Sequence, residues 1–307
     1  MSDDSYHKDR IANRKLHPET LMMGFGYSPA MSEGSLKPPI FLTSTENAQQ
    51  GKDFFDFTSG RRQPKPGEKP GLVYSRFNHP NMEILEDRLA IWDEAEKCAV
   101  FASGMAAIAT TCFAFLRPGD TIIHSRPLYG GTETLLKNQM GAFGVTAFGF
   151  TDGLDIAQMR ETAKAAAAVG MILVETPANP TNGLVDLAAC KMIADELGAL
   201  QGHRPPVVVD NTMLGPKYQK PLKQGADLSL LSLTKYVGGH SDLVGGSISG
   251  SEVLVRQVKG WRGSLGTQLD PNSCWMLMRS LETLDICMSR ANENARLVAD
   301  YLSTHPK

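Results

Sequence analysis

Cysteine is sparse in this chain of 307 residues: Cys98, Cys112, Cys190, Cys274 and Cys287 are scattered, odd in number and without C-x-x-C spacing. That argues against a disulfide framework or a thiolate zinc site and fits a reducing compartment. Charge of one sign is lacking too. Thirty-one Lys and Arg against 33 Asp and Glu leave a net charge of −2, and no basic run offers a grip on nucleic acid or an anionic membrane. No apolar run is long enough to cross a bilayer, and the opening segment, MSDDSYHKDR, is too polar for a signal peptide. A cytoplasmic protein is the expectation. His124 and His240 have no partners at metal-ligand spacing. Gly24-Phe25-Gly26 follows no strand and leads to no third glycine, so it is no dinucleotide fingerprint. The glycines after Lys235 lack the Lys-Ser/Thr ending of a P-loop.

What is present has the composition of an ordinary globular protein, 42% apolar and 21% charged. The length suits one large domain, or one domain with part of another. Residues 1–73 carry little periodic pattern and read as an extended arm and a loop. The prolines of 37–42 hold an extended segment, and 59–71 (SGRRQPKPGEKPG) is a basic, proline-rich loop. From Tyr74 onward helices and strands alternate. The spacing predicts helices over 82–97 (capped by Asn78 or Asn81), 106–116, the stretch before Met140, 156–168 (ended by Gly170), 186–200 and 290–302. Strands are expected over 98–102, 121–123, 145–150, 171–174, 207–209 and 228–233. Continuous apolar strands alternating with helices indicate an α/β fold, a mostly parallel sheet covered by helices on both faces.

In such folds ligands bind beyond the carboxyl ends of the strands, and that is where the chemistry collects. Lys235 closes an apolar run in DLSLLSLTKYVGGHSDLVGG, residues 227–246. A dry lysine has a lowered pKa and serves as a nucleophile toward carbonyls, whereas a lysine that snorkels to water does not. Alternation continued past the strand puts Ser232 and Thr234 on one side and Lys235 on the other. Ser103, Gly104 and Met105 join a strand to a helix whose free N–H groups suit a phosphate, although Ser103 also suits an ordinary cap. Tyr129, in a glycine-bounded loop, has a ring able to stack on a flat ligand. Glu175 and Asn179 close another strand, the carboxylate suited to nearby backbone N–H groups. Asp210, at the end of VVVD, calls for a cation or donors, and a pyridinium nitrogen is such a cation. Phosphate cradle, stacking ring, carboxylate and imine-forming lysine are together what pyridoxal 5′-phosphate requires.

The order of YSRFNHPN (74–81), FASGMAAI (101–108), RPLYGGT (126–132), VETPANPTNGLVDL (174–187), VVVDNT (207–212) and SLTKYVGGHSDLVGG (232–246) resembles the cystathionine γ-synthase, cystathionine lyase and methionine γ-lyase group. This is the Cys/Met-metabolism branch of fold-type I enzymes, and the resemblance runs from Pro38 to the end. It implies that Lys235 bonds the cofactor aldehyde and then moves protons. It further implies that Asp210 pairs with the ring nitrogen, that Tyr129 stacks on the ring, and that Gly104, Met105, Ser232 and Thr234 hold the phosphate. Asn179 is expected on the phenolic-oxygen side. Tyr74 and Arg76 are expected to reach a neighbouring subunit's phosphate site, in a homodimer or homotetramer. The expected activity is elimination or replacement at Cγ of a methionine-, cystathionine- or activated-homoserine-type amino acid. A carbon–sulfur lyase comes first, with cystathionine γ-synthase or an inactive fragment as alternatives. Gly131 stands where methionine γ-lyases commonly have cysteine, Met213 where the group is often aromatic, and the 59–71 insertion is long. Residues 74–267 are expected to form the cofactor-binding domain and 268–307 to begin a C-terminal domain that the chain lacks.

Overall fold

The structure is a computed structural model that describes residues 4–45, 51–53, 55–56, 59, 61–62 and 71–306. Most of the expected 59–71 loop therefore lies outside the described residues. The core is a seven-stranded sheet: β1 (Lys97–Phe101), β2 (Thr121–Ser125), β3 (Thr146–Phe150), β4 (Val169–Glu175), β5 (Val207–Asp210), β6 (Leu228–Ser232) and β7 (Gly246–Gly250). Their order in space is β1-β7-β6-β5-β4-β2-β3. From β6 through β3 all neighbours are parallel, while β7 runs antiparallel to both β1 and β6.

The helices packed around it include α1 (Pro80–Asp93), α2 (Gly104–Phe115), α3 (Gly130–Thr134, continuing as a π-helix over Leu135–Met140), α4 (Ile156–Ala165), α5 (Leu187–Gln201), α6 (Glu252–Leu265), α7 (Pro271–Leu281) and α8 (Leu284–Ser303). The strands are apolar on both sides, so each feeds two cores. Phe101, Ile122, Leu173, Val208 and Ile248 pack with Ile108 of α2 and Val255 of α6. On the other face Cys98, Val100 and Leu231 meet Leu85 of α1 and Leu277 of α7, while Ile172, Val174 and Val209 meet Met159 of α4 and Ile193 of α5. Burying each of these side chains contributes roughly 1.5–3 kcal/mol. The sheet covered on both faces is thus observed.

Several expected boundaries move. The cap of α1 is His79, whose Nδ1 accepts from Met82 N at 3.1 Å, and not Asn78 or Asn81. Pro80 at the first helical position fixes that start. The same helix stops at Asp93 rather than running to 97, and Glu94 follows in the left-handed region at φ 53°. Gly170 does not end α4. It sits inside β4, where a Cβ would lie 2.9 Å from Leu116 Cδ2. Strand β7 and helix α6 had no counterpart among the expected elements, whereas α7 falls in the 268–307 stretch, where linker helices are expected. Among the described residues no helix is long and apolar enough to cross a membrane.

Candidate active site

Strands β2, β4, β5 and β6 all point their carboxyl ends to one edge, and the connections diverge between the neighbours β2 and β4, since β2 leads to β3 on one side and β4 to β5 on the other. Asp210 ends β5 beside Glu175, its register partner at the end of β4. Its Oδ1 accepts from Thr212 N at 3.0 Å and from Thr212 Oγ1 at 2.6 Å, and Thr212 Oγ1 in turn accepts from Ser232 N at 2.8 Å. A single hydroxyl therefore joins the carboxylate to the end of β6. Oδ2 has no hydrogen bond among the described residues and is left for a ligand. Loss of hydration raises the Asp210 pKa to about 6; the Thr212 hydroxyl works against this, and the Glu175 charge adds to it. A cation at Oδ2 would reverse the shift. Thr212 was not singled out from the sequence, although it stands inside the VVVDNT motif; only the fold shows that its hydroxyl bridges two strands.

The turn into α2 lies against β6. A Cβ on Gly104 would come within 3.0 Å of Ser232 Cβ and 3.2 Å of its Oγ, so only glycine lets the helix start approach the Ser232 hydroxyl this closely. Gly246, the first residue of β7, packs against the same turn, a Cβ there lying 2.8 Å from Gly104 Cα. Ser103 is the N-cap as well, its Oγ accepting from Ala106 N at 3.0 Å. The start of this twelve-residue helix, with Ser232 beside it, has the donors and the positive end that a phosphate needs. Thr234 Oγ1 is engaged with Gly245, accepting from its N at 3.1 Å and donating to its O at 3.3 Å, and so it holds the turn closed.

Tyr129 is 48% exposed, with its ring over Gly131: a Cβ there would lie 2.7 Å from Tyr129 Cε1 and 3.2 Å from Met105 Sδ. A cysteine at 131 would displace the ring. The Tyr129 N–H donates to Glu175 Oε2 at 2.6 Å, and the Asn179 N–H donates to Oε1 at 2.8 Å. Burial raises the Glu175 pKa, and these two bonds ease the shift. Asn179 itself is exposed.

Lys235 departs from expectation, because it is exposed rather than dry. The ladder ends at Ser232, and residues 233–238 are turns, so strand alternation does not extend to it. Leu233 takes the buried direction instead. The ammonium group stands free of hydrogen bonds and ion pairs among the described residues. With Met213, Thr234, Asp242, Leu243 and Val244 it lines a cavity of about 750 Å³. Of the expected set, only Thr234 and Lys235 line this cavity. Tyr74 and Arg76 lie apart from the carboxyl-end cluster: Tyr74 is exposed, and Arg76 donates to Gly263 O with its guanidinium 4.4 Å from the Phe77 ring. Among the described residues no group of three or more His, Cys, Asp or Glu is placed to hold a metal.

The donor set fits a flat, phosphorylated, nitrogen-containing cofactor: helix N–H groups and Ser232 for the phosphate, a free carboxylate oxygen for a ring cation, and a nearby primary amine. Comparison with known proteins agrees. The chain is 36% identical to L-methionine gamma-lyase of Pseudomonas deceptionensis over 313 residues, covering 99% of this chain and 71% of that protein. It is 36% identical to a probable cystathionine gamma-synthase of Herpetosiphon aurantiacus (92% and 81% covered) and 33% identical to cystathionine gamma-lyase of Bacillus subtilis (94% and 70%). Its fold matches the crystal structure of metB from Corynebacterium glutamicum with a TM-score of 0.79 at 31% identity, over 95% of this chain and 70% of that one. Residues 19–307 match the model of the Cys/Met metabolism PLP-dependent enzymes, so the chain belongs to that family, with the fold-type I architecture and pyridoxal phosphate as its cofactor.

Proposed function

We propose that the chain catalyses elimination at Cγ of a methionine- or cystathionine-type amino acid, as a carbon–sulfur lyase. The observation that carries this reading is the chain of hydrogen bonds Ser232 N–H to Thr212 to Asp210, which leaves Asp210 Oδ2 free beside the carboxyl ends of the sheet. When bound, pyridoxal phosphate supplies an aldehyde and an electron-withdrawing ring. The protein's own residues do the rest. The amides of Gly104 and Met105 and the hydroxyl of Ser232 would orient the phosphate, with Ser103 capping the helix start and Thr234 holding the adjoining turn. Asp210 Oδ2 holds the ring nitrogen's proton, and Tyr129 and Asn179 bound the ring. Lys235 Nζ would hold the cofactor through its aldehyde and would carry protons between substrate carbons. The cavity beside it has apolar walls at Met213, Leu243 and Val244, which suit a thioether.

Residues 74–267 form the cofactor-binding unit in this reading, and α7 packs onto it through Leu277. The enzyme works in the cytoplasm as a homodimer or homotetramer in which Tyr74 and Arg76 serve the adjacent subunit's phosphate. The exposure of Tyr74 supports this. Replacement at Cγ is the second reading, favoured by the 36% identity to a probable cystathionine gamma-synthase. Offering the protein methionine, cystathionine and O-succinylhomoserine with cysteine separates the two. Release of 2-oxobutanoate and a thiol from either of the first two supports the lyase, whereas cystathionine made from the third without 2-oxobutanoate release from the others refutes it.

A further inference from the structure

Glu175 is 4% exposed, the most secluded carboxylate on the carboxyl edge. A lone capping role would need only the turn that follows its strand, and Oε1 serves that turn through the N–H of Asn179 at 2.8 Å. Oε2 does something different. It crosses from β4 to the loop after β2 and accepts the N–H of Tyr129, 46 residues away, at 2.6 Å. The backbone of Glu175 is pinned in the same direction, its N–H donating to Ser125 Oγ at 3.0 Å. On the helix side the loop is held by the Tyr129 carbonyl, which accepts from Thr132 N at 2.8 Å and Glu133 N at 3.1 Å, so the Tyr129 N–H is the group that ties it to β4. Tyr129 has no side-chain capping bond, and Gly130 and Gly131 follow it. Its ring lies over Gly131 and Met105, directly beyond the backbone N–H that Glu175 holds.

We propose that Glu175 is a positioning residue: one carboxylate clamps the loop of the stacking Tyr129 to the loop of Asn179, so that the two ring contacts are set as a unit. This rests on the reading of the site as the pyridoxal phosphate site. Bonds from N–H to a buried carboxylate are stronger than neutral ones, and losing one leaves an orphaned donor as well. The carboxylate is matched to the task because it has two acceptors and no donor. Glutamine offers one acceptor and turns an NH₂ toward the other N–H.

The test is a double-mutant cycle on the full chain, with pyridoxal phosphate affinity read from the visible band on titration. Glu175→Ala is expected to weaken the cofactor about tenfold or more, and Glu175→Gln, which keeps the shape and one bond, to fall between it and the native chain. Because Glu175 acts through the ring, the loss on Glu175→Ala should shrink to less than threefold when Tyr129→Ala is already present. A purely structural role would give the same loss in both backgrounds, and that additivity would overturn the proposal. So would native affinity in Glu175→Gln together with Glu175→Ala. Should Glu175→Ala not fold, the Gln variant in the two Tyr129 backgrounds gives the same comparison. A native chain with no visible band would instead overturn the reading of the site itself.

Discussion

Asp93, the last residue of α1, is 1% exposed, and neither carboxylate oxygen has a hydrogen bond of good geometry. Burial raises its pKa from 3.8 to about 6; the Ser249 hydroxyl beside it and the Lys220 charge offset only part of that cost. An acid whose folded pKa exceeds its unfolded one binds its proton more tightly when folded. Stability is therefore highest below the unfolded value and declines as pH rises through the interval from 3.8 to about 6. At about 1.4 kcal/mol per unit, the folded chain is disfavoured by roughly 3 kcal/mol at pH 7.5 and by about half of that at pH 5. Asp93→Asn abolishes the titration. The amide still lacks partners, so the absolute gain falls below the full amount, but its pH dependence is fixed by the pKa difference alone. Urea unfolding of both proteins at saturating pyridoxal phosphate, at pH 5 and 7.5, measures it. The Asn variant's stability relative to the native chain should rise by roughly 1–2 kcal/mol between the two. A difference that stays flat, or moves the other way, would show that Asp93 is solvated or paired and would refute the reasoning.

Two further substitutions test the fold. Glu94 sits in the left-handed region at φ 53°, where its side chain costs about 1 kcal/mol, while its ion pairs with Lys223 (3.3 Å) and Lys220 (3.8 Å) are half-exposed and weak. Glu94→Gly is expected to stabilise the chain by about 0.5 kcal/mol, seen as a small rise in Tm. Arg262, 2% exposed, donates to Glu86 Oε1 at 2.5 Å and to the carbonyls of Val100 and Phe77, tying α6 to α1 and β1. Arg262→Met leaves Glu86 with Lys259 at 2.5 Å and the Val100 N–H at 3.0 Å, and should cost about 3–5 kcal/mol in chemical denaturation, much of it recovered by adding Glu86→Leu.

Much of this architecture is legible in the residues themselves. Apolar runs with few polar breaks make buried parallel strands, and β1 through β6 lie within two or three residues of where those runs place them. Strand β7 escapes because GSISG has poor β-propensity and its glycines read as turns. Its smallness has a packing reason: a Cβ on Gly250 would lie 2.7 Å from Leu228 Cδ2, and one on Gly246 would strike the Ser103–Gly104 turn. The carboxylates Asp210 and Glu175 could be found because a charge ending an apolar strand needs a partner. Their local partners, Thr212 and the Asn179 N–H, lie within four residues, whereas Ser232 and Tyr129 come to this edge only through the strand order. The exposure of Lys235 was missed for a related reason. Alternation holds along a ladder, and the ladder had already ended at Ser232. The Glu86–Arg262–Lys259 cluster brings together charges more than 170 residues apart, which no local pattern records.

The account depends most on one bond, between Lys235 Nζ and the cofactor aldehyde. Borohydride treatment of the protein loaded with pyridoxal phosphate, followed by proteolysis and mass spectrometry, should place a stable pyridoxyl mass on the peptide containing Lys235 and leave Lys235→Ala unlabelled. A label on another lysine, or equal labelling of the Ala variant, would contradict it.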